Sequence, residues 1–209
     1  NDEVTSTYGN DVVLGDNGEL SYINNVLVNA ISSEASTGGD DLLALGEGNN
    51  IVIGGAGADV ITTLSGVDTI LGDNGQLVWS VTGIIESVTA TDLTNGADDI
   101  IVAGDADNII VGATGDDIIE TGIDNDTILG DGGVALYTDG VLVSLSSDAV
   151  EAGDDIITVV NGNNIIAGGA GIDAITTTDG VDIILGDNGQ IVWSATGIIE
   201  SVTATDLTN

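Results

Sequence analysis

Aliphatic residues recur along this chain in pairs, each pair directly following an acid or its amide, and the pattern returns every nine residues. The acid or amide stands at Asp41, Asn50, Asp59 and Asp68, then at Asp99, Asn108, Asp117 and Asp126, then at Asp155, Asn164, Asp173 and Asp182. Asp2 and Asp11 look like the tail of an earlier run. A helix imposes a 3.6-residue period and an ordinary strand a period of two, so neither accounts for nine. Nine residues make one glycine-rich turn and one short strand, stacked on their neighbours by backbone hydrogen bonds, which is the unit of a solenoid. In a three-residue strand only the central side chain points inward. The expected inner ladder is Leu43, Val52, Ile61, Ile70, Ile101, Ile110, Ile119, Ile128, Ile157, Ile166, Ile175 and Ile184.

A longer period lies over the shorter one. GDNGQLVWSVTGIIESVTATDLTN at 72–95 returns as GDNGQIVWSATGIIESVTATDLTN at 186–209, an offset of 186 − 72 = 114. The Gly-Asp turn that opens it also starts at Gly15 and Gly130, which halves the period to about 57. The predicted fold is all-β: a parallel β-roll or β-solenoid of nonapeptide coils interrupted by β-hairpin excursions. A partial module over 1–38 precedes full modules over 39–95, 96–152 and 153–209. The chain opens and closes in mid-module, as expected for a piece of a longer repetitive protein. The excursions carry turn signals at Asn24-Asn25, Gly83, Thr138-Asp139-Gly140 and Gly197 between β-rich runs. Tyr22, Trp79, Tyr137 and Trp193 each fall four residues after the last glycine of their turn, the place of a packing anchor at a roll end or against a neighbouring subunit.

The residue after each acid points outward, yet it is aliphatic at Leu42, Ile51, Val60, Ile100, Ile109, Ile118, Ile156, Ile165 and Ile183. A bare sheet of such side chains invites aggregation, so this face is expected to be covered by the excursions or by a neighbouring chain.

Composition then narrows the chemistry. The chain has 35 acids and no Lys, Arg, His or Cys, for a net charge of −35. Without internal cations the acids must be solvated, protonated or bound to cations from outside. Nucleic acids, acidic lipid surfaces and phosphates are repelled, and no apolar run is long enough for membrane insertion. The periodic aliphatic residues set the chain apart from a disordered acidic tail. Nucleophilic catalysis lacks a His, Lys or Cys to serve it, and acids that recur with the fold period do not form a singular catalytic pair, so no enzyme activity is expected. A hard cation bound by oxygen is the fitting partner: calcium takes six to eight oxygens, and turns of Asp, Asn and free carbonyls offer them without nitrogen or sulfur.

GGAGAD at 54–59 with Val60-Ile61, and GGAGID at 168–173 with Ala174-Ile175, match G-G-x-G-x-D-x-U-x, and GATGDD at 112–117 comes near it. In this the chain resembles the RTX, or haemolysin-type, calcium-binding nonapeptide-repeat proteins. The resemblance implies a parallel β-roll with two nonapeptides per coil, calcium held between successive turns of one edge by acids and turn carbonyls, and secretion into calcium-rich surroundings. Turns eighteen residues apart then share an edge. One edge gathers Asp41, Asp59, Asp99, Asp117, Asp155 and Asp173, together with the Gly-Asp turns that supply Asp16, Asp73, Asp131 and Asp187 as further candidate ligands. Asp11 of the partial module is a candidate as well. The other edge alternates Asn50, Asn108 and Asn164 with Asp68, Asp126 and Asp182, and TLSGVD at 63–68 and TTDGVD at 177–182 lack the leading glycines. The first edge is expected to be calcium-rich and the second calcium-poor.

The functional expectation is a calcium-stabilised extracellular structural repeat, self-associating through the outward rows and hairpin aromatics into a filament, sheath or surface layer. The alternative is a calcium-responsive spacer or folding module of a giant secreted RTX adhesin, toxin or enzyme.

Overall fold

The structure, a computed structural model, describes residues 1–147 and 153–205. Residues 148–152 and 206–209, and with them the expected module boundary between 152 and 153, lie outside the described residues. The described residues form strands and turns with no helix.

Each nonapeptide supplies one short strand, and successive strands alternate between two parallel seven-stranded sheets. The first contains Glu3–Thr5, Leu42–Ala44, Val60–Thr62, Ile100–Val102, Ile118–Thr121, Ile156–Asn161 and Ala174–Asp179. The second contains Val12–Leu14, Ile51–Ile53, Thr69–Leu71, Ile109–Ala113, Thr127–Asp131, Ile165–Ala167 and Ile183–Leu185. Register is set by the inward residue: Leu43 faces Ile61, which faces Ile101, and Val52 faces Ile70, which faces Ile110. The partner lies 18 residues on where the turn is tight and about 40 where a hairpin intervenes. The chain therefore winds as a two-sheet β-roll.

Between the sheets lies a thin dry core. From Leu43 to Ile166 every expected inward residue is at most 1% exposed. Ile175 packs against this core from one side, and Ile184 is 44% exposed because its strand sits at a sheet edge. β-Branched side chains suit the ladder, since the pleat already restricts their χ1 and stacking costs them little further freedom.

The four excursions are hairpins, with tight-turn residues Asn24, Asn25, Asp139 and Gly140 all at positive φ. Their strands pair with one another as well as within each hairpin. Gly18–Ile23, Val26–Ser32, Gly75–Trp79, Ile85–Ala90, Gly133–Thr138, Val141–Ser147, Gly189–Trp193 and Ile199–Ala204 build one eight-stranded antiparallel sheet. Its inner face, with Ala30, Leu77, Val88, Ala135, Leu145 and Ile191 all at most 1% exposed, packs on the outer face of the second roll sheet. We call that roll sheet the shielded sheet and the other the bare sheet.

The outward aliphatic row consequently meets two fates. On the shielded sheet Ile51, Ile109, Ile165 and Ile183 pack beneath the hairpins. On the bare sheet Leu42, Ile100 and Ile156 are 44%, 41% and 49% exposed. Covering by the excursions thus holds for one sheet and fails for the other within the chain. The aromatics divide likewise: Trp193 is buried, Trp79 and Tyr137 are half-buried against the same core, and Tyr22 is 54% exposed. Trp79, Tyr137 and Trp193 thus pack onto the chain's own roll, whereas Tyr22 does not.

Leu77 is fully buried between hairpin sheet and roll. Leu77→Ala is expected to cost about 2–5 kcal/mol, as large-to-small changes in a dry core do, read as a lowered urea midpoint in saturating calcium.

Candidate functional site

Where the chain crosses from the shielded sheet to the bare sheet it makes the glycine-rich turns, and these stack into one edge. Every turn ends in an acid whose backbone N–H donates to the carboxylate of the next coil. The distances to Oδ1 are 2.8 Å from Asp41 to Asp59, 2.7 Å from Asp59 to Asp99, 2.8 Å from Asp99 to Asp117, 2.9 Å from Asp117 to Asp155 and 3.0 Å from Asp155 to Asp173. The sequence places one acid per turn, and the strand register turns them into a continuous ladder.

Only one oxygen of each carboxylate is used. The Oδ2 atoms of Asp41, Asp59, Asp99, Asp117, Asp155 and Asp173 are buried with no hydrogen-bond partner. A buried anionic oxygen left unpaired is costly, so a row of six calls for a counter-charge. Beside each lies a glycine cradle. A β-carbon at Gly54 would stand 2.4 Å from Asp59 Oδ2 and 2.1 Å from the carbonyl oxygen of Gly72, and one at Gly112 would stand 2.2 Å from Asp117 Oδ2 and 2.4 Å from the Gly130 oxygen. Gly15, Gly72, Gly130 and Gly168 repeat this pairing of a carboxylate oxygen with a carbonyl of the adjoining coil. Glycine is required here by close approach, since any side chain would fill the space between those oxygens.

Electrostatics agree with the geometry. Burial, then the neighbouring carboxylates, push Asp99 up to about 9 and Asp117 up to about 10. Burial is likewise the largest cause for Asp59 and Asp155, each raised to about 7. The ladder on its own therefore favours protons or a bound cation over free charge. Among the described residues no three acidic side chains converge on one point, so a cation held on this edge draws on turn carbonyls as well as carboxylates. That is an all-oxygen donor set suited to a hard divalent ion.

The RTX calcium-binding nonapeptide repeat family matches the chain in four copies, over residues 36–70, 93–128 and 158–190. The chain belongs to the RTX calcium-binding nonapeptide-repeat proteins. Neither a curated protein nor a solved structure matches it with significance. RTX repeats bind calcium and RTX proteins are typically secreted; no helix among the described residues is long and apolar enough to cross a membrane. In this RTX chain the free Oδ2 atoms of Asp41, Asp59, Asp99, Asp117, Asp155 and Asp173, with the carbonyls of the glycine turns, are the groups that fit the ion. Calcium held there would neutralise the ladder.

The remaining candidates fall differently. Asp73 accepts from Ala97 N–H at 3.3 Å and Thr114 N–H at 2.8 Å, Asp16 accepts from Ala56 N–H at 2.7 Å, and Asp131 accepts from the N–H groups of Gly153 and Ala170. Both oxygens of Asp73 and Asp131 are thereby engaged, and these acids act as staples that tie the turn before each hairpin to the following coils. Asp187 is half-buried at the equivalent turn. Asp11 does not stand on the glycine edge: it directly precedes the Val12–Leu14 strand of the shielded sheet, and its N–H donates to Asn50 Oδ1 at 3.2 Å on the opposite edge. The first rung of the glycine edge is Asp2, whose N–H donates to Asp41 Oδ1 at 2.5 Å. The signal for this lay in the sequence, because consecutive nonapeptides alternate edges and Asp2 precedes Asp11 by one nonapeptide.

Proposed function

We propose that this RTX chain is a non-enzymatic, calcium-stiffened structural repeat that works outside the cell or on its surface, self-associating into a filament, sheath or surface layer. The observation that carries the reading is the bare sheet. Leu42, Val60, Ile100, Ile118 and Ile156 follow one another across it in register, a row of aliphatic side chains with no covering layer among the described residues. A soluble monomer gains nothing from such a row, whereas a second sheet laid on it removes the apolar surface from water. Absence of Lys and Arg also removes every trypsin-type cleavage site, which suits a durable material. Extracellular calcium modules bind at about 0.1–1 mM, so the repeat stays unfilled inside a cell and fills outside it.

Electron microscopy of the purified chain in millimolar calcium, repeated after chelation, tests this. Ordered filaments or sheets that disperse on chelation are expected; isolated monomers in both conditions would leave the chain a spacer within a larger RTX protein. Ile100→Glu with Ile156→Glu is expected to abolish the assembly while calcium-dependent folding survives, because Glu120 already occupies the same sheet face as an exposed residue. Light scattering and circular dichroism read the two effects separately.

A further inference from the structure

The second edge, where the chain crosses from the bare sheet to the shielded sheet, has the same ladder and a different filling. Its rungs run Asn50, Asp68, Asn108, Asp126, Asn164 and Asp182, each backbone N–H donating to the side-chain oxygen of the next at 2.7–3.0 Å. On the glycine edge the residue five before each full-coil rung is glycine: Gly54 before Asp59, Gly112 before Asp117, Gly168 before Asp173. On this edge the same position is never glycine. It is Leu45, Ala103 or Val159 before an Asn, and Thr63, Thr121 or Thr177 before an Asp.

The side chains occupy what is open on the other edge. Leu45, Ala103 and Val159 are at most 3% exposed and belong to the roll core. The asparagine that follows needs no ion, because its amide nitrogen supplies the positive end. Asn50 Nδ2 donates to the carbonyl oxygens of Gly48 at 2.9 Å and Gly46 at 3.4 Å and to Asp68 Oδ1 at 3.0 Å, and Asn108 Nδ2 donates to Ala106 at 2.9 Å and Gly104 at 3.1 Å. Turn carbonyls and a carboxylate thus converge on an N–H donor. At the Asp rungs a threonine hydroxyl stands in this place. Thr63 and Thr121 are 1% and 5% exposed, and their Oγ1 atoms, like Asp68 Oδ2 and Asp126 Oδ2, are buried without a hydrogen-bond partner, so each buried hydroxyl is an unused donor on the rung whose carboxylate oxygen is unused. Burial raises both acids, and the threonine hydroxyl is the first influence opposing it, so that Asp126 reaches only about 6.

We propose that this amide edge is calcium-independent, and that for every rung reached without an intervening hairpin the residue five before it decides: glycine leaves room for the ion, while threonine before Asp or an aliphatic before Asn takes its place. Calcium then loads one edge of the roll only, and the amide edge is a fixed seam against which the glycine edge closes. The inference rests on calcium binding by the repeat and not on assembly, so its failure and that of the polymer reading are separable.

The test counts bound calcium. Thr63→Val with Asp68→Asn converts one rung to the pairing that Val159 and Asn164 already use, so the fold has a native precedent for it. In equilibrium dialysis or native mass spectrometry the double variant is expected to bind as many calcium ions as the parent, whereas Asp117→Asn on the glycine edge binds at least one fewer. In saturating calcium Thr63→Val alone is expected to lower the urea midpoint by stranding the Asp68 carboxylate, and adding Asp68→Asn to restore it. A double variant that loses an ion makes Asp68 a ligand and overturns the proposal; so does a double variant no more stable than Thr63→Val. Asp126→Asn, which keeps Thr121, is an independent check, and loss of an ion there has the same meaning.

Discussion

In excess chelator at pH 7 the chain is expected to lose its β structure, and acidifying the chelated chain to about pH 3 is expected to bring it back. The sign follows from the ladder. Asp59, Asp99, Asp117 and Asp155 have folded-state pKa values raised to about 7, 9, 10 and 7, chiefly by burial, against about 3.9 in an unfolded chain. An acid with a raised folded pKa binds its proton more tightly when folded, so the metal-free roll is most stable below the unfolded value. Stability is lost as pH climbs from about 4 toward the folded values. At pH 7 each of these four acids costs about 4 kcal/mol, from about three pH units at 1.36 kcal/mol each. Even one or two such costs are comparable with the roughly 5–15 kcal/mol by which a whole domain is stable. Calcium reverses the balance because it pairs the anionic form and binds only the folded arrangement, so its binding energy is folding energy. Circular dichroism across pH 3–8, with and without calcium, reads the effect; full β structure in chelator at pH 7 would show that the roll closes without the ion.

The parts of this architecture that were legible in the sequence are those fixed by one nonapeptide at a time. An inward aliphatic such as Ile61 and a turn glycine such as Gly57 are set by positions a few residues apart, and the two-edge grouping follows from counting eighteen. The hairpin sheet was not legible as a sheet, because its pairing between hairpins joins residues such as Asn29 and Val78 that no local pattern connects. A trace of it was present nonetheless. The third strand residue is Ile53, Leu71, Val111, Leu129, Ala167 and Leu185 on the shielded sheet, but Ala44, Thr62, Val102, Glu120, Thr158 and Thr176 on the bare one. An aliphatic there means that the outer face is covered. The edge that Asp11 joins is likewise not set by residue type. Aspartate has the right chemistry for a ligand, but strand parity, not residue type, decides which edge it joins.

Gly112→Ala is expected to destabilise the calcium-loaded roll by about 3 kcal/mol and to remove at least one bound ion, although it adds a single methyl group. The cost comes from contact, since Gly112 is not among the glycines held at positive φ. Its methyl would stand 2.2 Å from Asp117 Oδ2 and 2.4 Å from the carbonyl oxygen of Gly130, far inside normal carbon–oxygen separation. Relief by swinging Asp117 gives up the 2.8 Å hydrogen bond from Asp99 N–H, and relief by moving Gly130 shifts a coil whose strand is paired on both sides. Overpacking of this kind costs about 1–3 kcal/mol by itself, and loss of the ion adds to it. For a chain of this size that corresponds to a melting point lower by about 6–12 °C. The opposite change at the equivalent place on the amide edge, Ala103→Gly, is expected to cost about 1 kcal/mol through backbone entropy and a lost methyl and to leave the ion count unchanged. A methyl group is thus predicted to have opposite meanings on the two edges of one roll: on the glycine edge it displaces the ion, and on the amide edge it fills the place where no ion binds.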